Sequence, residues 1–156
     1  MVTRYTGAVV QAVTASSGTM TTGTGLIPPD NTIPQITEGD QYLTVTITPT
    51  SAANLLEIEV LLYASNTVTP AALIAAVFQD STANAVAASL TTLLTAGTIE
   101  PILVRHVMTA GTVSATTFKV RAGGGVAGTT TVNGASGTAY MGGVMQSRIT
   151  VRELSA

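Results

Sequence analysis

Residues Leu56 to Leu62 read LEIEVLL, with Leu56, Ile58, Val60 and Leu62 at alternate positions and Glu57 and Glu59 between them. Alternation at period two places successive side chains on opposite faces of an extended chain, so this stretch is a strand with one dry face and one wet face. The same pattern recurs on both sides of it. In Tyr42 to Thr48, Leu43, Val45 and Ile47 oppose Thr44, Thr46 and Thr48; in Thr117 to Ala122, Phe118, Val120 and Ala122 oppose Lys119 and Arg121. Near the end, Ile149 and Val151 alternate with Arg148, Thr150 and Arg152.

Ala72 to Gln79 and Ile99 to Met108 are apolar on both faces, which predicts strands covered on both sides or placed at a subunit contact. Thr6 to Val13 and Ala87 to Thr95 are weaker candidates and bring the count to about eight strands. A short helix over Ala83 to Leu94 is the one rival, weakened by Ser89, Thr91 and Thr92. Turn chemistry punctuates the strands at Ile27 to Asn31, Asn66 to Pro70, Ala110-Gly111 and Asn133-Gly134, the last being the strongest short turn signal. Strands at this spacing predict an all-β sandwich or barrel.

The 156 residues suit one domain with a sizeable core. Only 9% are charged, against about 25% in an ordinary domain, roughly one residue in five is threonine, and the net charge is -2. A surface of hydroxyls and amides does little to keep copies apart, so self-association is expected. Mean hydropathy is +0.45, yet the longest apolar run, Ala71 to Phe78, is far short of a membrane-spanning helix, and a soluble chain is expected. The amino terminus lacks the pattern of a secretion signal. Cysteine is absent, which excludes disulfides and thiolate metal sites; the few basic residues form no stripe for nucleic acid.

RAGGGVAG, residues Arg121 to Gly128, fits the dinucleotide pattern GxGxxG through Gly123, Gly125 and Gly128. A phosphate cradle needs a helix opening at the third glycine and an acid about 20 positions on. Thr129 to Val132 are β-branched, Met141 to Arg148 contain no acid, and no Lys-Ser or Lys-Thr follows. The glycines therefore read as a loop between strands, and no cofactor is expected.

Four segments carry a family resemblance: IPQITEGDQYLTVTITPTSA (Ile33 to Ala52), VFQDSTANAVAA (Val77 to Ala88), HVMTAGTVSATTFKVRAGGG (His106 to Gly125) and GGVMQSRITVREL (Gly142 to Leu154). Together they resemble the carboxy-terminal β-domain of tailed-bacteriophage tail-fibre and virion-surface proteins, over about Thr22 to Leu154. The resemblance implies a compact jelly-roll-type sandwich that assembles as a homotrimer on the outside of a virion, without enzymatic activity. A capsid decoration (cement) protein that stabilises the head is the rival role.

Individual residues add few chemical options. His106, the only histidine, shares a strand face with Ile102, Val104 and Met108, and no second His or Cys is available for zinc. It reads as a core or interface imidazole, and on a three-fold axis as a pH-sensitive contact. Glu57 and Glu59, about 7 Å apart by the strand rise, have a spacing compatible with an inverting glycosidase, but they equally make a solvated strand face without an aromatic platform for sugar. Asp30, Glu38 and Asp40 lie in loop sequence where calcium would find oxygen ligands, although their spacing is not that of an EF-hand. The TxT row Thr44 to Thr50 matches an ice-binding face and, equally, a half-buried strand.

These readings combine into one expectation. Residues 1–29 form an amino-terminal arm that attaches to other virion proteins, with Thr14 to Gly25 flexible, and residues 30–156 form a single jelly-roll-like sandwich of about eight antiparallel strands. Phe78, His106 and Phe118 are the subunit-contact candidates. Gly124, Asn133 and Tyr140 mark loops for a host-cell surface receptor. Burial of apolar area, at about 25 cal/mol per Å2, is the one large stabilising contribution open to so neutral a chain. No catalytic residue, metal, nucleic acid or membrane insertion is expected; a carbohydrate-active or ice-binding protein is the alternative.

Overall fold

In a computed structural model, which describes residues 7–156, the alternation of LEIEVLL becomes the centre of the molecule. Strand β4 (Leu55–Asn66) buries Leu56, Ile58, Val60, Leu62 and Ala64 completely and leaves the residues between them half-buried. Around it stand β1 (Val9–Ser17), β2 (Thr21–Gly23), β3 (Asp40–Ile47), β5 (Ala71–Gln79), β6 (Ala87–Leu93), β7 (Glu100–Thr109), β8 (Thr116–Gly124), β9 (Thr130–Val132), β10 (Gly134–Ala135), β11 (Thr138–Ala139) and β12 (Ser147–Leu154). The segment that competed as a helix, Ala83 to Leu94, carries strand β6 instead, because Thr91 and Thr92 are β-branched and the run from Ala87 to Leu93 pairs along β5 as an edge strand.

The eight long strands form two facing antiparallel sheets. One has the order β1, β12, β4, β7; the other has β3, β8, β5, β6. Numbered along the chain, the first sheet holds the first, eighth, third and sixth long strands, and the second holds the second, seventh, fourth and fifth. This double Greek-key order is a jelly roll. The short β9 continues along β4 beyond the end of β12, with β2 beside it, and β10 and β11 make a separate ribbon. The main core lies between the sheets, where Leu43, Val45, Ile47, Phe118 and Val120 of the second sheet meet Ile58, Val60, Ile102, Val104, Ile149 and Val151 of the first.

The expectation for the two doubly apolar segments divides. Strand β5 is covered on both faces within the chain: Leu73, Ala75 and Val77 point into the main core, while Ile74, Ala76 and Phe78 pack under Ile27 and Ile36 in a second cluster. Strand β7 buries only Ile102 and Val104; its other face is open, with Leu103 47% exposed.

The expected arm ending at residue 29 is corrected. β1 pairs with β12 from Val9↔Leu154 to Ser17↔Ser147, β2 pairs with β9, and Ile27 is wholly buried against β5. Thr14 to Gly25, expected to be flexible, thus lies largely in strands, because its backbone groups complete an otherwise open sheet edge. Met1 to Thr6 of the arm, and the first residue of the strand expected at Thr6, lie outside the described residues.

Candidate functional site

The jelly roll sorts its connections to two ends. At one end, here the loop end, β1 leads toward β3, β4 to β5 through Thr67 to Pro70, β6 to β7 through Leu94 to Ile99, and β8 to β12 through Gly125 to Gln146. Backbone bonds tie these loops together: Gly97 N–H donates to the Asn66 carbonyl at 2.9 Å, and Thr67 N–H donates to the Thr129 carbonyl at 3.1 Å. Asn133 anchors the longest of them. Its backbone adopts φ 57°, its side-chain amide donates to the carbonyls of Ser17 (2.8 Å) and Thr19 (3.1 Å), and its side-chain oxygen accepts from the hydroxyl of Ser147 (2.7 Å). The two-residue hairpin turn is Ser136-Gly137, both at positive φ, rather than Asn133-Gly134. Asn133 instead carries the chain from β9 into β10.

The glycines of RAGGGVAG serve close packing. A side chain at Gly123 would meet the Gly25 carbonyl oxygen at 2.3 Å, and one at Gly125 would meet the Pro29 ring at 2.9 Å. Their backbone is already engaged, Gly124 accepting from Ile27 N–H (3.2 Å) and Gly125 donating to Ala72 (2.8 Å). Arg121 donates to the carbonyls of Glu38 (2.7 Å) and Gly39 (2.6 Å), which holds the long crossing segment onto the second sheet.

Where that segment passes edge strand β6, a half-open cleft of about 360 Å3 remains. Pro28, Pro29, Pro34, Ile74 and Leu90 give it apolar walls; Asp30, Thr32 and Ser89 supply oxygens. The Thr32 hydroxyl and backbone N–H donate to the Asp30 carboxylate and lower its pKa, so Asp30 is an anion at neutral pH.

The outer face of the first sheet collects most of the arginines. Arg105 and Arg148 flank Glu59 at 3.1 and 3.8 Å, and Arg152 pairs with Glu57 at 3.1 Å. Glu57 and Glu59 share a face, as the alternation requires, yet each is engaged by arginine on an open sheet. Exposed pairs of this kind contribute about 0–1 kcal/mol each.

At the opposite end, Glu153 is a buried acid that sequence reasoning missed. Its side chain is fully buried, and one carboxylate oxygen accepts from Thr50 N–H (2.8 Å), the Thr50 hydroxyl (2.8 Å), Ser51 N–H (3.3 Å) and the Asn54 amide (2.6 Å). The other accepts from Gln11 at 2.6 Å. Burial alone raises the pKa, but the hydrogen bonds from Gln11, Asn54 and Thr50 outweigh it and hold Glu153 near about 2. In VREL this glutamate breaks the exposed positions of the alternation, since it sits on the face of Val151 rather than of Arg152. That was the available signal.

The expected site residues separate. Phe78 and Phe118 are completely buried inside one chain and leave no surface for a subunit contact; Phe78 packs under Ile27 and Ile36 in the second cluster, and Phe118 lies between the sheets. His106 is half-buried on the inner face of β7 opposite Ile58, as its strand neighbours indicated. Gly124 and Asn133 are buried scaffold positions rather than loop surface, whereas Tyr140 is 46% exposed. The three loop carboxylates do not converge on a calcium position: Asp30 holds Thr32, Glu38 accepts from Gln35 N–H (2.9 Å), and Asp40 accepts from Gly25 N–H (2.6 Å). Thr46 of the TxT row exchanges a 2.8 Å hydroxyl bond with Thr117 across the strands.

No protein-family model matches the chain, and no curated protein does. Among solved structures it is similar to the infectious bursal disease virus VP2 subviral particle, at 13% identity and a TM-score of 0.39, over 95% of this chain and 39% of that one. The chain thus spans about two fifths of the length of that VP2 chain.

Proposed function

We propose that the chain is a non-enzymatic structural protein of a virion surface, working as a homotrimer in a bacteriophage particle. The observation that carries this reading is the strand order, β1-β12-β4-β7 over β3-β8-β5-β6, an architecture that viral capsid domains use. Two features support it. The four segments that resemble phage fibre and virion-surface domains span both sheets, and the surface is poor in ions, which favours association of copies. The mechanism is packing: a rigid sandwich presents preformed surfaces to its neighbours in the particle. A fibre-tip role and a head-decoration role differ in address and copy number, which imaging intact particles with a label on this chain separates. Sedimentation of the purified chain is expected to give three times the 15.7 kDa subunit mass; a single subunit mass at micromolar concentration refutes the trimer.

A second reading, glycan binding to a host-cell receptor, is favoured by the cleft beside β6. Proline and leucine walls match the C–H face of a sugar ring, and the Asp30 carboxylate and Ser89 hydroxyl are suited to its hydroxyls. Titration with host-surface polysaccharide checks it: binding that Asp30→Asn abolishes supports the cleft, and binding indifferent to that change removes it.

A further inference from the structure

The large hydrophobic side chains left in water are unevenly placed. Among the described residues the three most exposed are Leu94 at 82%, Val144 at 81% and Met141 at 70%, and all three belong to the loop end. Val68, Val126 and Tyr140 stand exposed in the same connections. The loops are joined to one another: a side chain added at Gly97 would come within 3.3 Å of the Ser136 hydroxyl, and Gly18 packs directly on the Gly143 carbonyl. The connections Thr67 to Pro70, Leu94 to Ile99 and Gly125 to Gln146 contain no Asp, Glu, Lys, Arg or His. Three connections that combine exposed Leu, Met, Val and Tyr with a lack of charge have the make-up of the buried centre of a protein interface; of the loop end's four connections only the one from β1 toward β3 contains acids, Asp30 and Glu38. It differs from the solvated surface elsewhere on the same molecule, where the first sheet carries its arginines and glutamates.

We infer that copies of this chain meet through the loop end, with Leu94, Met141 and Val144 buried at the contact. Charge matching selects the occupant. Connections without cations offer little to nucleic acid, an anionic glycan or an anionic lipid head group, each of which requires cations to balance it. A second copy presents the same uncharged apolar loops, so Leu94, Met141 and Val144 lose water without any ion losing its hydration, and a ring of three closes when these loops gather about its axis. This inference rests on the trimer reading and assigns it a surface. It also moves the contact away from Phe78 and Phe118, which have no exposure to contribute.

The test uses the full chain, its natural form and two variants, Met141→Asp with Val144→Asp at the loop end and Val113→Asp at the other end, where Val113 is 59% exposed. Sedimentation equilibrium reads subunit mass, and circular dichroism melting reads folding. Loss of the trimer to single subunits in the loop-end variant, an association weakened more than about tenfold with the folded spectrum and a cooperative melting transition retained, supports the contact provided that Val113→Asp remains trimeric. A trimer that persists in the loop-end variant overturns the contact and leaves the trimer standing; a natural chain that sediments as one subunit overturns both. Should the double variant fail to fold, single cysteines decide, since the chain has none of its own. Oxidation of Met141→Cys is expected to link copies in high yield; linkage only in Val113→Cys, or in neither, overturns the contact.

Discussion

The two ends of the sandwich solve the problem of a nearly ion-free chain in opposite ways. At the far end, where Thr48 to Asn54 turns from β3 into β4, the first strand begins and the last one finishes, the apolar exposure is interrupted by one buried anion, Glu153, whose oxygens gather donors from Gln11, Thr50, Ser51 and Asn54. At the loop end no ion occurs in three of the connections, the buried polar anchor is the neutral Asn133, and Leu94, Met141 and Val144 remain in water. The difference teaches which end is finished within one chain. A buried carboxylate is tolerable only when donors surround it, so the far end is closed by its own loops. Apolar loops without charge gain by being covered, and this is why the proposed contact between copies is placed at the loop end.

The sharpest way to break this contrast is to remove the far-end anion. Glu153→Ala leaves the donors of Thr50, Ser51, Asn54 and Gln11 buried without an acceptor and is expected to lower stability by more than about 3 kcal/mol in chemical denaturation; a loss under about 1 kcal/mol would show the corner to be peripheral. Acid gives the same information without mutation. Glu153 is held near about 2 against an ordinary 4.5, so the unfolded chain takes up the proton first. Its contribution is whole above about pH 4.5 and is lost as pH falls toward 2, roughly 3 kcal/mol in all, and Glu153→Gln should flatten that part of the profile.

At the loop end the corresponding buried anchor is neutral, and a smaller effect is expected. Asn133→Ala removes two donated and two accepted hydrogen bonds and a residue suited to φ 57°, for about 2–3 kcal/mol, with no change in acid dependence. Tyr42, the residue bulged out of the β3–β8 register, has a buried hydroxyl without a partner among the described residues, and its pKa is pushed up to about 12 by burial and by the charge of Asp40. A raised acid pKa keeps the folded form protonated, so its contribution declines as pH rises from 10 toward 12. Tyr42→Phe is expected to abolish that decline and to change stability at neutral pH by no more than about 1 kcal/mol. Smallest of all, Val144→Asp should move the stability of a separated subunit by less than about 0.5 kcal/mol, because its side chain has few neighbours to lose.

Much of this architecture was legible in the chain. Six of the eight long strands lie where alternation or a doubly apolar run places one, β1 and β6 match the weaker candidates, with β1 running on through Thr14 to Ser17, expected to be flexible, and Gly123 and Gly125 are packing glycines between strands, as Thr129 to Val132 implied. The short strands β2, β10 and β11 were not, because two or three residues are too few for a period to show. The site was read less well. Gly124 and Asn133 have the composition of loop tips but are buried by neighbours remote in sequence, Asn66 and Ile27 for one, Ser17 and Ser147 for the other. Phe78 was placed at a subunit contact because a doubly apolar strand needs cover on both faces, and the cover proved to be the chain's own crossing segment.

By itself the sequence determined which residues form strands, which face of each is dry and that ions are too few to dominate, since periodicity and charge are local properties of a chain. Only the tertiary structure decided that β5 is sealed from within while β7 is not, that Glu153 rather than Glu57 or Glu59 is the buried acid, and that the most exposed apolar side chains share one end. Each of these depends on which distant segments the two sheets bring together, and such proximity is a property of strand order, not of any stretch of residues.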